Sequence, residues 1–134
     1  MKKSHIRRLR KRLSFLKKEY NISRDVYKDI MIEKENKVNF YTKGIDHYQP
    51  LYDYIFNITD PCSENRISEL KLYTLLNEIS GLLSYFKKER QNINNEINDL
   101  NMEIYDNNKF YTSYIYITKK RLSRAYYFGS KGYK

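Results

Sequence analysis

The residues in this sequence most able to do chemistry are cations and tyrosine rings, gathered at its two ends. Residues 1–20 hold nine Lys/Arg against the single acid Glu19, a net of +8. Residues 109–134 hold seven Lys/Arg and no acid, a net of +7, while 21–64 and 65–108 sum to −3 and −2. Lysine and arginine neutralise phosphates and release counterions, and tyrosine faces stack on unpaired bases. That chemistry belongs to polyanion binding, with single-stranded or structured RNA favoured over sequence reading in duplex DNA. The candidate nucleic-acid contacts are Lys2, Lys3, Arg7, Arg8, Arg10, Lys11 and Arg12 at one end. At the other end they are Lys119, Lys120, Arg121, Arg124, Tyr126, Tyr127 and Lys131. Tyr114 and Tyr116 read instead as the face of an element packed on the rest of the fold.

Catalytic chemistry finds no comparable foothold. His5 and His47 stand apart from each other and from Cys62, without metal-ligand spacing. Asp46-His47 is a pair with no nucleophile arranged around it, and no glycine-rich phosphate loop or paired-carboxylate motif occurs. Cys62 at a helix start is a small filler before it is a reactive thiol. The expectation is a non-enzymatic protein with no metal and no cofactor.

Cys62, as the only cysteine, excludes a disulfide framework and points to a reducing compartment (cytoplasm or organelle matrix) or a virus or phage particle assembled in one. Asn21-Ile-Ser23 and Asn57-Ile-Thr59 match the glycosylation pattern. Nothing resembles a secretory signal, so a secreted protein is not expected. No apolar run approaches the ~18 residues that would span a bilayer. The Arg-rich start resembles a transit peptide, but its apolar spacing continues past Tyr20 into the chain.

The elements that position these ends are long helices. Leu72, Leu76, Ile79, Leu83, Phe86, Arg90, Ile93, Ile97, Leu100 and Ile104 recur at alternating spacings of 4 and 3, the mark of one apolar helical stripe. Asp60-Pro61 supplies a start and Asn107-Asn108 a stop, giving a helix over about 61–106. Gly81 would permit a close approach to a neighbour. Ile6, Leu9, Leu13, Leu16, Tyr20, Tyr27 and Ile30 form a second stripe. It predicts one helix over about 3–36, or two joined at 21–23 with Ser23 as cap. Gly44 ends that region, and Gln49-Pro50 opens a short helix over about 50–58. From Phe110 to Thr118 the residues alternate as in a strand, and Ala125 to Phe128 could return as a second one.

The fold expected is therefore mainly α, an antiparallel coiled-coil hairpin or small bundle over 1–108, followed by a short, Tyr-rich, β-like basic segment over 109–134. A connection of roughly 20 residues favours folding back, which sets the two basic ends side by side. A parallel homodimer through the second helix is the competing geometry. The function expected is a structural or assembly subunit of a large nucleic-acid-containing particle, ribosome-like or viral, docked on neighbouring proteins through its helical body. A small viral or phage antagonist, seated on an acidic or nucleic-acid-binding surface of a host protein, is the rival. Residues 1–20 also suit a membrane-surface helix, which ranks third because Ile6, Leu9, Leu13 and Leu16 fit a bundle seam.

Overall fold

The computed structural model describes residues 2–59 and 66–130, and they form two helices packed against each other, a helical hairpin. Helix α1 spans Lys2–Ile58 and α2 spans Arg66–Ser130, 57 and 65 residues long. No helix among the described residues is long and apolar enough to cross a membrane. Asp60-Pro61 and Cys62 lie outside the described residues.

The helices hold their length because each carries an almost unbroken stripe of buried and half-buried residues. In α1 the stripe follows Ile6, Leu9, Leu13, Leu16, Tyr20, Ser23, Tyr27, Met31, Lys34, Val38, Tyr41, Ile45, Tyr48, Tyr52 and Ile55, with Thr59 just past the helix end. In α2 the stripe from Leu72 to Ile104 runs on through Asn107, Tyr111, Ile115, Thr118, Leu122 and Ala125. Spacings of 3 and 4 alternate throughout except at Ser23–Tyr27–Met31 and Asn107–Tyr111–Ile115, where two fours follow each other. Such a four-residue insertion locally unwinds a coiled coil.

Three expected boundaries are corrected by these stripes. Helix α1 does not stop near 36 and restart at 50; it passes through Gly44 and Pro50. Val38, Tyr41, Ile45 and Tyr48 keep the seam apolar across the gap, and tertiary packing outweighs local breakers. Ser23 caps nothing: its hydroxyl donates to the Tyr20 carbonyl at 2.8 Å from mid-helix. Nor does α2 stop at Asn107-Asn108, and the β-like segment is helical through residue 130. The alternation over 110–118 arises because nearly every residue there is aromatic or β-branched. Burial separates them, covering Tyr111, Ile115 and Thr118 and leaving Phe110, Tyr114 and Tyr116 exposed.

The chain divides into two compact units, one joining residues up to Met31 with those from Asp99 onward, the other spanning Ile32–Asn98. In the second unit Ile45, Ile55, Leu76, Ile79 and Leu83 form the core, flanked by Tyr48, Tyr52, Leu72 and Phe86. The pairing there is antiparallel: the Lys34 ammonium meets the Glu96 carboxylate at 3.0 Å, and Lys87 donates to the Gln49 side-chain carbonyl at 3.2 Å.

Gly44, not Gly81, provides the close approach. A Cβ on Gly44 would fall 2.9 Å from Phe86 Cε2, whereas one on Gly81 meets nothing within 4 Å. Phe86 has little room to retreat, with the Tyr48 ring stacked 6.1 Å away and Tyr41 at 6.0 Å. The two alanine substitutions therefore have opposite signs. Gly81→Ala raises stability by about 1 kcal/mol through helix propensity. Gly44→Ala forfeits that gain to overpacking, which costs about 1–3 kcal/mol, and lowers it. Thermal melts of the two variants beside the wild type read the difference. Pro50 offers a third test, since it lacks the N–H that would bond the Asp46 carbonyl. Pro50→Ala is expected to raise stability by about 2 kcal/mol, from ~3 kcal/mol for an interior proline less up to ~1 kcal/mol returned through the unfolded chain. A melting temperature unchanged or lowered would contradict a continuous α1.

Candidate nucleic-acid interface

The unit that joins residues up to Met31 with those from Asp99 onward carries all of the chain's excess charge. Its residues hold 18 Lys/Arg and 6 Asp/Glu, a net of +12, against 8 and 10 in the other unit, a net of −2. The start of α1 lies along the end of α2 within this unit, so the two basic clusters do meet. The Arg10 guanidinium sits 5.2 Å from the Tyr126 ring centroid. Further along, Tyr20 stacks on Tyr111 with centroids 5.5 Å apart and 17° between planes. The falling order, 10 with 126 and 20 with 111, makes the pairing antiparallel.

Leu9, Leu16, Leu100 and Thr118 are buried in this unit. The Thr118 hydroxyl donates to the Tyr114 carbonyl at 2.8 Å, which satisfies it inside the seam. A polar layer interrupts the apolar packing near the irregular spacing. Tyr20 Oη donates to Asn108 Oδ1 at 3.0 Å, and Asn107 Nδ2 donates to Ser23 Oγ at 2.9 Å. A polar layer of this kind fixes the register of paired helices at a cost in stability.

Two opposite faces flank the seam. In an antiparallel pair the residue following each seam position falls on the same side in both helices, and the residue preceding it on the other side. The observed pairs agree: Arg10 and Tyr126, which meet, each follow a seam residue (Leu9, Ala125). Gln49 and Lys87 in the other unit do likewise.

The following face of the basic unit carries Lys3, Arg7, Arg10, Lys17, Arg24 and Lys28 from α1, all exposed. From α2 it carries Tyr105, Tyr116, Lys119 and Tyr126. Tyr116 and Tyr126 are 58% and 41% exposed, with the Arg10 guanidinium over the Tyr126 ring. Lys120 reaches back to Tyr116, its ammonium 5.2 Å from the ring centroid, and Arg24 covers Tyr20 at 5.4 Å. Cations held against exposed rings can meet phosphate and base together.

The residues expected from sequence are thus sorted rather than gathered. Lys3, Arg7, Arg10, Lys119 and Tyr126 share the following face, with Lys120 at its border. Arg8, Arg12, Arg121 and Arg124 lie on the preceding face. Lys11 and Tyr127 occupy the outer surfaces, away from the seam. The side chain of Lys2 and the whole of Lys131 lie outside the described residues. Sequence reasoning misses Tyr116, Tyr105, Lys17, Arg24 and Lys28 as members of the face. Carrying the seam through Asn107-Asn108 to Ile115 would find Tyr116, while Lys17, Arg24, Lys28 and Tyr105 each follow an earlier seam residue (Leu16, Ser23, Tyr27 and Ile104).

Desolvation raises Tyr41 above its ordinary 10.0, helped by Tyr85 and the charge of Glu89. No cluster of three or more His, Cys, Asp or Glu able to hold a metal occurs among the described residues. Comparison with protein-family models, curated proteins and solved structures yields no match to this chain.

Proposed function

We propose that this protein is a non-enzymatic nucleic-acid-binding subunit, holding single-stranded or structured RNA on the following face of its basic unit. The observation that carries the reading is the division of charge, +12 in one unit and −2 in the other. The interleaved rings of Tyr116 and Tyr126 extend it from phosphate to base. Lys3, Arg7, Arg10, Lys17 and Lys119 would neutralise phosphates, and the tyrosines would stack on splayed bases at about 1–3 kcal/mol each. The near-neutral unit leaves the chain free to serve as a structural piece of a nucleic-acid-containing particle, in a ribosome-like complex or a virus or phage.

Filter binding to a single-stranded RNA and to duplex DNA across a salt series tests the proposal. With about five phosphates neutralised, the slope of log K against log salt for the single strand is expected near −3.5. Absent binding, or binding flat with salt, overturns it. A stoichiometric protein partner captured after nuclease treatment, with no RNA affinity, would favour docking on an acidic protein surface instead.

A further inference from the structure

The preceding face of the basic unit has a different chemistry, and its α2 stripe is self-complementary. Along α2 it presents Glu103, Asp106, Phe110, Tyr114, Ile117, Arg121 and Arg124, all exposed. Phe110, Tyr114 and Ile117 are 53%, 41% and 43% exposed. That is a contiguous apolar centre with acid at one end and arginine at the other. The order reverses in charge about its midpoint. Glu103 and Arg124, Asp106 and Arg121, and Phe110 and Ile117 are each equidistant in sequence from a point between Ser113 and Tyr114. Beside this centre α1 adds Phe15 and Ile22, 60% and 48% exposed, and at the arginine end it adds Arg8 and Arg12.

We infer that this face is a dimer interface with a second copy of the same chain, related by a two-fold axis that passes beside Tyr114. The α2 helices then run antiparallel across the interface, and each copy's Arg121 and Arg124 lie on the other's Asp106 and Glu103. A two-fold interface requires that where residue i meets j, j also meets i, and this stripe meets that requirement with opposite charges. The parallel arrangement instead stacks Arg8, Arg12, Arg121 and Arg124 of both copies together, and like-charge juxtaposition is strongly unfavourable.

A hollow of about 530 Å³ lies on the receiving end, lined by Tyr27, Glu103, Asp106, Asn107, Phe110 and Tyr111. Carboxylates above aromatic walls suit an arginine, whose stem packs on rings while its guanidinium meets the acids. The stripe is ~32 Å long at 1.5 Å per residue. Two helix diameters wide, it buries roughly 1,300 Å² across both copies, within the range of stable interfaces. In this dimer the two nucleic-acid faces point away from each other, giving a bivalent particle.

Sedimentation equilibrium on nucleic-acid-free protein, so that RNA affinity has no bearing on the result, tests the inference. The wild type is expected to be a dimer. Arg121→Glu with Arg124→Glu, or Glu103→Arg with Asp106→Arg, should each raise the dimer dissociation constant about hundredfold through like-charge contact. An equimolar mixture of the two variants should dimerise again, because each copy then meets opposite charge at both ends. A monomeric wild type, charge reversals without effect, or a mixture that fails to re-form dimers while both variants keep their helix content would each overturn it. Should a reversal unfold the chain, Tyr114→Cys in a Cys62→Ser background decides. Mild oxidation should link it to its counterpart in the other copy, and Tyr116→Cys should not link. Equal or absent linking of the two contradicts the axis.

Discussion

Replacing Arg7, Arg10 and Lys119 together with glutamine is expected to weaken binding to single-stranded RNA about fiftyfold at 0.15 M salt. Each phosphate neutralised on a single strand contributes a factor of salt to the power ~−0.7, close to fourfold at that concentration. Three such factors multiply to about fiftyfold, and the salt slope becomes shallower by about 2. The matched control neutralises Lys43, Lys71 and Lys88, all exposed in the near-neutral unit. That triple variant should change affinity by about twofold or less, since none of the three lysines belongs to the proposed face. Fluorescence anisotropy with a labelled RNA reads both. Equal losses in the two variants would mean that the protein responds to net charge and not to a defined face.

The second large effect is on stability. Ile79 is the most deeply buried of the core residues, 3% exposed among Ile45, Ile55, Leu76 and Leu83. Ile79→Ala removes that packing and leaves a cavity, at about 2–5 kcal/mol. A pair of helices buries one stripe from each, so its core is thin, and a loss of that size is a large fraction of a domain's ~5–15 kcal/mol. Leu70 lies on the same helix but is 64% exposed. Leu70→Ala should stay within about 0.5 kcal/mol of the wild type. Urea denaturation followed by circular dichroism measures the two side by side. Comparable shifts would place the core somewhere other than the seam.

The helical seam is legible because Leu and Ile repeat in it at 3 and 4, and the burial of Leu76, Ile79, Leu83 and Ile93 follows that repeat. The meeting of the basic ends is legible too, since it requires only that the chain fold back once. Legibility fails where the seam turns polar. Asn107 and Asn108 carry the stripe through hydrogen bonds to Ser23 and Tyr20, partners 84 and 88 residues away that no local pattern announces. With the helix stopped there, the aromatic run that follows can only be read as alternating. Pro50 and Gly44 mislead for a related reason. Their local preferences are real, but the stripe through Ile45, Tyr48 and Tyr52 overrides them, and Gly44 proves to be the gap that admits Phe86.

The sorting of cations between faces is beyond a reading by clusters. Arg7, Arg8, Arg10, Lys11 and Arg12 form one run in sequence, yet in the helix Arg7 and Arg10 turn toward the tyrosine face while Arg8 and Arg12 turn away. Charge identifies the proposed binding end of the molecule; only the position of the seam separates the proposed nucleic-acid face from the proposed dimer face. In the proposed dimer the arginines on the far side, Arg121 and Arg124, would meet the other copy's Asp106 and Glu103.

Photo-crosslinking of a single-stranded RNA carrying 4-thiouridine, with the attachment sites mapped by mass spectrometry, tests the central assignment most directly. The predicted crosslinks fall at Tyr116 and Tyr126 and on α1 between Lys3 and Lys28, along the following face. Crosslinks at Phe110, Tyr114 or Phe15, or within residues 32–98, would contradict it.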